Sequence, residues 1–138
     1  MNKLDEVINQ LKKLSNGEVM NVALPNNTLL DSYEKDIDFS FPVEYRKLLK
    51  EAGNILYGTI ELLLVTKDKQ YPCELSIVLN EAREQGLPKD WLTICEDNGS
   101  YYCLTSDGKV RYWTLDGYSN DSWNDLADWV EQVWINGN

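Results

Sequence analysis

The sequence predicts an α+β fold, a mostly antiparallel sheet flanked by helices, in a single domain over residues 1–138. Three observations predict it. The N-terminal part carries apolar residues at helical spacing. The stretch from Trp91 to Thr114 is a series of short β-type runs separated by Asn-Gly and Asp-Gly. The C-terminus then returns to helical spacing, with the strongest apolar stripe in the chain.

Taken in order, residues 2–15 place Leu4, Val7, Ile8, Leu11 and Leu14 on one helical face, and Gly17 ends the run. Residues 24–40 read as a loop opened by the turn Pro25-Asn26-Asn27, with a short helical turn around Leu29 to Glu34. Ser40-Phe41-Pro42 opens a second helix whose apolar face is Tyr45, Leu48, Leu49 and Ala52, closed by Gly53. Residues 59–65 read as a strand. Ser76 caps a third helix through Gln85, stopped by Gly86 and Pro88. Strands follow at Trp91–Cys95, Tyr101–Leu104 and Val110–Thr114. Between them lie a turn at Asp97-Asn98-Gly99 and a hairpin loop at 106–109. Ser122 and Asp125 have capping-box spacing, and Leu126, Trp129, Val130, Val133 and Trp134 form the core stripe of a final helix.

Composition excludes several functions. The net charge is −10, from 23 acidic and 13 basic residues, the opposite of a nucleic-acid footprint. There is no histidine, which removes imidazole bases, His-bearing zinc sites and Ser-His-Asp triads. Cys73, Cys95 and Cys103 are odd in number and lack Cys-x-x-Cys spacing, so they read as reduced thiols of a cytoplasmic protein. The N-terminus carries no secretory pattern, and no apolar run approaches the ~20 residues of a membrane span. No cofactor, metal, nucleic acid or membrane is expected. The charge favours solubility and a monomer.

Acids and aromatics concentrate in two places. From Tyr112 to the C-terminus there are five acids and no lysine or arginine, together with Trp113, Tyr118, Trp123, Trp129 and Trp134. Either the acids solvate the final helix and its approach loop, or the loop from Asp116 to Trp123 is an acidic, aromatic contact surface for a basic partner. Trp129 and Trp134 fit the core stripe, and Trp123 lies off it. The second concentration is Glu96-Asp97 before Asn98-Gly99. It lacks the alternating ligands of an EF-hand and reads as a polar hairpin loop or a partner contact.

Several segments together resemble one family. Phe41-Pro42-x-x-Tyr45-x-x-Leu48-Leu49 is similar to the Leu-Pro-x-x-Tyr helix of the SUKH superfamily, which includes fungal Smi/Knr cell-wall synthesis regulators and many bacterial immunity proteins. Gly86-Leu87-Pro88, the hairpin from Glu96 to Leu104, and Asp107-Gly108-Lys109-Val110-x-x-Trp113 match its later segments in order and spacing. The resemblance runs from about Ile37 to Ile135. The family's Trp-Asp-His ending of the fourth strand is Trp113-Thr114-Leu115 here, so no role of that Asp or His carries over.

The resemblance implies a non-catalytic protein that binds and neutralises a cognate toxin domain, basic and possibly a nuclease, of a bacterial polymorphic or contact-dependent system. Glu96, Asp97, Asp116, Asp121 and Asp125 would steer that domain. Tyr101, Tyr112, Trp113, Tyr118 or Trp123 would anchor it. The alternative is a regulatory scaffold or adaptor of the Smi/Knr type. A carboxylate-only enzyme or a small-ligand sensor is a minor reading.

Overall fold

The computed structural model describes residues 2–137, and for Gly117 and Tyr118 the backbone alone. Five helices and four strands follow in the order α1 (Lys3–Ser15), α2 (Asn27–Ile37), α3 (Val43–Ala52), α4 (Leu75–Glu84), β1 (Leu92–Asp97), β2 (Ser100–Leu104), β3 (Val110–Thr114), β4 (Gly117–Trp123) and α5 (Leu126–Trp129). A π-helical run, Val130–Ile135, continues α5. The architecture is the expected α+β, with one antiparallel sheet in the order β1-β2-β3-β4.

The predicted helical faces are the buried ones. Asn2 caps α1 by accepting the Asp5 N–H at 2.9 Å, and Leu4, Val7, Ile8 and Leu11 are buried while Leu14 is exposed. In α3, Tyr45, Leu48, Leu49 and Ala52 are buried. Gly53 is the C-cap of α3 and donates its N–H to the Leu49 carbonyl, and a Cβ there would sit 2.6 Å from that oxygen. The β1–β2 turn is Asn98-Gly99, with φ of 51° and 88°, as a two-residue hairpin loop with both central residues left-handed requires.

Alternation sorts the sheet's residues onto two faces. Tyr101 pairs with Trp113 and their rings stack at 5.9 Å; Tyr102 pairs with Tyr112 on the other side. Glu81 of α4 bears electrostatically on Tyr101, whereas Trp129 of α5 meets the Tyr102 ring at 5.5 Å. The two helices therefore cover opposite faces, and α1 packs on α3 and on the C-terminal helix.

Five expectations are corrected. Residues 59–65 are not a strand: Leu63 donates one N–H to Ile94 of β1 and Leu64 bonds Cys73, so this buried apolar segment binds its neighbours singly, without a ladder. The short helical turn expected around Leu29 to Glu34 within the 24–40 loop is a full helix, α2, because Asn26 is an N-cap accepting the Leu29 N–H and Leu30 and Tyr33 are buried. The supposed loop from Asp116 to Trp123 contains β4. In β4, Ser119 to Asp121 bulge opposite Tyr112, and the Ser119 hydroxyl accepts the Asp121 N–H. Asp125, not Ser122, caps α5 by accepting the Asp128 N–H. Ser76 does not cap α4; its N–H is accepted by the Tyr33 hydroxyl at 2.8 Å. In the π-helical run the wider turn lets residues five apart share a face, so Trp129 with Trp134 and Val130 with Ile135 are buried together.

Tyr33 ties α2 to the loop before α4. Its hydroxyl donates to Glu74, which is fully buried and also receives the Thr66 N–H and hydroxyl at 2.9 and 2.5 Å. A buried polar group is stable only when its hydrogen-bonding capacity is met, and here three donors converge on one carboxyl.

Candidate functional site

Glu96 and Asp97 are the last two residues of β1, so successive side chains leave on opposite faces. Glu96 pairs with Tyr101, and Asp97 with Ser100, which shares its face with Tyr102. On the Asp97 face three half-buried rings form a panel. Tyr102 lies 4.9 Å from Tyr112 and 5.6 Å from Trp123, with buried Trp129 behind it. The Tyr112 hydroxyl donates to Asp97 Oδ2 at 2.8 Å, fixing that carboxylate at the panel's edge. Burial, followed by the charges of Asp97, Tyr112 and others including Asp121, pushes the Tyr102 hydroxyl up to about 12.

The expected site residues divide accordingly. Asp97, Tyr112 and Trp123 come together on the panel, and Asp121 precedes Trp123 by two residues at the bulge of β4. Glu96 is exposed on the opposite face. Tyr101 and Trp113 are 2% and 4% exposed; their rings are stacked in the core and have no surface to offer a partner, which corrects their expected role as anchors. Asp116 is exposed in the β3–β4 turn beside Leu115, itself 67% exposed. Asp125 caps α5 and lines a separate cleft of about 380 Å³ with Lys3, Glu44 and Asp107. The Tyr118 backbone pairs with Trp113, and its side chain lies outside the described residues.

Two contributors were missed. Tyr102 is the centre of the panel, and the Asn98-Gly99 turn carried the signal, since a two-residue loop puts Asp97 opposite Ser100 and therefore on the Tyr102 face. The other is a cleft of about 720 Å³ between the α2–α3 connection and the β2–β3 hairpin. Phe39, Pro42 and Leu104 line it with Asp38, Asp90 and Asp107. Nothing in the spacing of these residues brings the two loops together.

Charge is unevenly compensated. Among the described residues, Glu96, Asp97, Asp116, Asp121 and Asp125 make no ion pair. The helical side is laced with them: Arg46 with Asp31 and Glu34, Lys47 with Asp5, and Lys69 with Asp36.

The sequence matches the SUKH_5 family, described as SMI1-KNR4 cell-wall, over residues 4–135. The chain belongs to this family. A crystal structure of a protein from Pseudomonas syringae pv. tomato has the same fold, with a TM-score of 0.87 and 29% identity over 96% of this chain and 98% of that one. No curated protein matches.

Within this family fold the chemistry on offer is limited. Burial pushes the Cys95 thiol up to about 12 and raises Cys103 and Cys73 as well, so none is poised as a thiolate. Among the described residues no three Cys, Asp or Glu side chains gather as a metal would need. No described helix is long and apolar enough to cross a membrane.

Proposed function

We propose that this SUKH-family protein is a non-catalytic immunity protein that binds a basic toxin domain and blocks its working surface. The observation that carries this reading is the panel face: half-buried rings beside carboxylates that no cation of the described chain neutralises. Exposed acids raise the encounter rate with a basic surface, and rigid aromatics supply contact area at low entropic cost. Asp116 and exposed Leu115 extend the surface at the β3–β4 turn. A nuclease domain, which must attract a polyanion, is a fitting partner. Raised thiols and the lack of histidine support a binding role over a catalytic one.

The experiment is affinity capture from the native host at low and then high salt, followed by expression of what is captured with and without this protein. One stoichiometric basic polypeptide, toxic alone and harmless when co-expressed, is expected. The family's cell-wall description keeps an adaptor role as the second reading. Several substoichiometric partners with no toxicity to neutralise would establish that role instead.

A further inference from the structure

We propose that the Tyr102–Tyr112–Trp123 panel, with Asp97 and Asp121 beside it, is a seat for an arginine side chain of the partner protein. This inference rests on the binding reading above and names the chemistry of its central contact.

The panel offers what a guanidinium uses. All three residues are half-buried, so each keeps some surface in contact with water, and fully buried Trp129 backs Tyr102. An arginine lies on an aromatic face through cation–π attraction and stacking. At the edge, Asp97 is already oriented. Tyr112 donates to its Oδ2, and Oδ1 receives no hydrogen bond from the described residues. Asp121 is exposed, and only its backbone N–H is engaged, by Ser119. The seat therefore holds acceptors and π faces and lacks a cation.

Among the described residues, no lysine or arginine pairs with Asp97 or Asp121. No lysine or arginine occurs from Tyr112 onward. Arg111, next to the panel in sequence, pairs with Cys103 on the opposite face, and its guanidinium reaches Asp107 at 3.5 Å. Complementarity thus selects a positively charged occupant from outside. Arginine fits better than lysine. Its planar, weakly hydrated head can stack and can fork onto a carboxylate, whereas an ammonium is a strongly hydrated point charge.

The test is an NMR titration of the isotope-labelled full chain at low salt with N-acetyl-arginine amide, and in parallel with N-acetyl-lysine amide. Saturable shifts are expected at the backbone of Tyr112 and Asp121 and at the Trp123 indole, with the arginine compound at least about threefold tighter. The double variant Asp97→Asn, Asp121→Asn should lose the arginine response while keeping its dispersed spectrum. Tyr112→Phe, which keeps the ring and frees Asp97, should weaken it and serves if the double variant misfolds. Equal responses to both compounds, or none on the panel, would overturn the seat. An arginine-selective panel in a chain that captures no toxin supports the seat and overturns the immunity reading. A captured toxin that binds the double variant with unchanged affinity overturns the seat and leaves the immunity reading standing.

Discussion

Glu74 and Asp121 carry the same functional group at opposite extremes. Glu74 is fully buried between α2 and α4, where Tyr33 and Thr66 supply three donors from within the chain. Asp121 is exposed on the bulge of β4, and its carboxylate has no described donor and no cation. A carboxyl taken out of water must be satisfied by the fold, so its neighbours are fixed and its role is architectural. One left in water needs nothing from the fold, so it remains free to meet a partner. Function is to be sought where the carboxylates are unsatisfied by the chain, and stability where they are satisfied.

The largest expected effect tests the architectural side. Glu74→Leu removes the acceptor from under the Thr66 N–H, the Thr66 hydroxyl and the Tyr33 hydroxyl, all in a buried site. Stranding several buried donors should cost about 3–5 kcal/mol in urea unfolding. Tyr33→Phe is the milder cut. It deletes the hydroxyl that accepts the Ser76 N–H at the start of α4, and should cost about 1–2 kcal/mol. The folded fraction of either variant should bind a captured partner normally. A loss of affinity in that fraction would break the separation between the two sites.

The opposite pattern is expected on the panel side. Asp116→Lys with Asp121→Lys changes two exposed residues, so unfolding should shift by no more than about 0.5 kcal/mol. Association with a basic partner should slow about tenfold or more at low salt. The difference should shrink near 1 M salt, where the screening length is about 3 Å. Equal association rates at low salt would remove electrostatic steering from the argument. Adding Asp125→Lys confounds the test, because Asp125 caps α5 and losing a cap costs about 1 kcal/mol.

Much of the scaffold was legible because it obeys simple periods. α1 and α3 bury the stripe their spacing marks, and the first three strands are bracketed by turn residues that admit few alternatives. α2 is longer than the turn expected around Leu29 to Glu34 because Asn26, a cap, looks identical in sequence to a turn residue. β4 differs from the expected loop because Gly, Asn and Asp have low strand propensity, while pairing with β3 holds it extended. Residues 59–65 show the converse. Their apolar content reads as a strand, but Leu63, Leu64 and Leu75 find separate backbone partners. At the site, residue types pointed to acids and aromatics, while facing was not read. Tyr101 and Tyr102 are adjacent and chemically identical, and register alone sends one to the core and the other to the panel.

The smallest effect concerns Asp107, which falls between the two extremes. It is exposed like Asp121, yet supplied with donors like Glu74: the Thr105 hydroxyl, the Lys109 N–H at 3.2 Å and Arg111 at 3.5 Å. Those donors, the Thr105 hydroxyl foremost, hold its carboxyl below the ordinary 3.8. The folded chain therefore binds this proton less readily than the unfolded chain does. The stabilisation is fully present above the unfolded value and drains away as pH falls through the lower folded value. Urea midpoints measured from about pH 6 to pH 2 should thus fall more steeply for the natural chain than for Asp107→Asn, with the two curves separated by a constant offset above about pH 5. Curves that stay parallel below pH 4 would mean that water satisfies Asp107 as well as the hairpin does. The carboxylate would then belong with Asp121, and the line between satisfied and open acids would have to be drawn by burial alone.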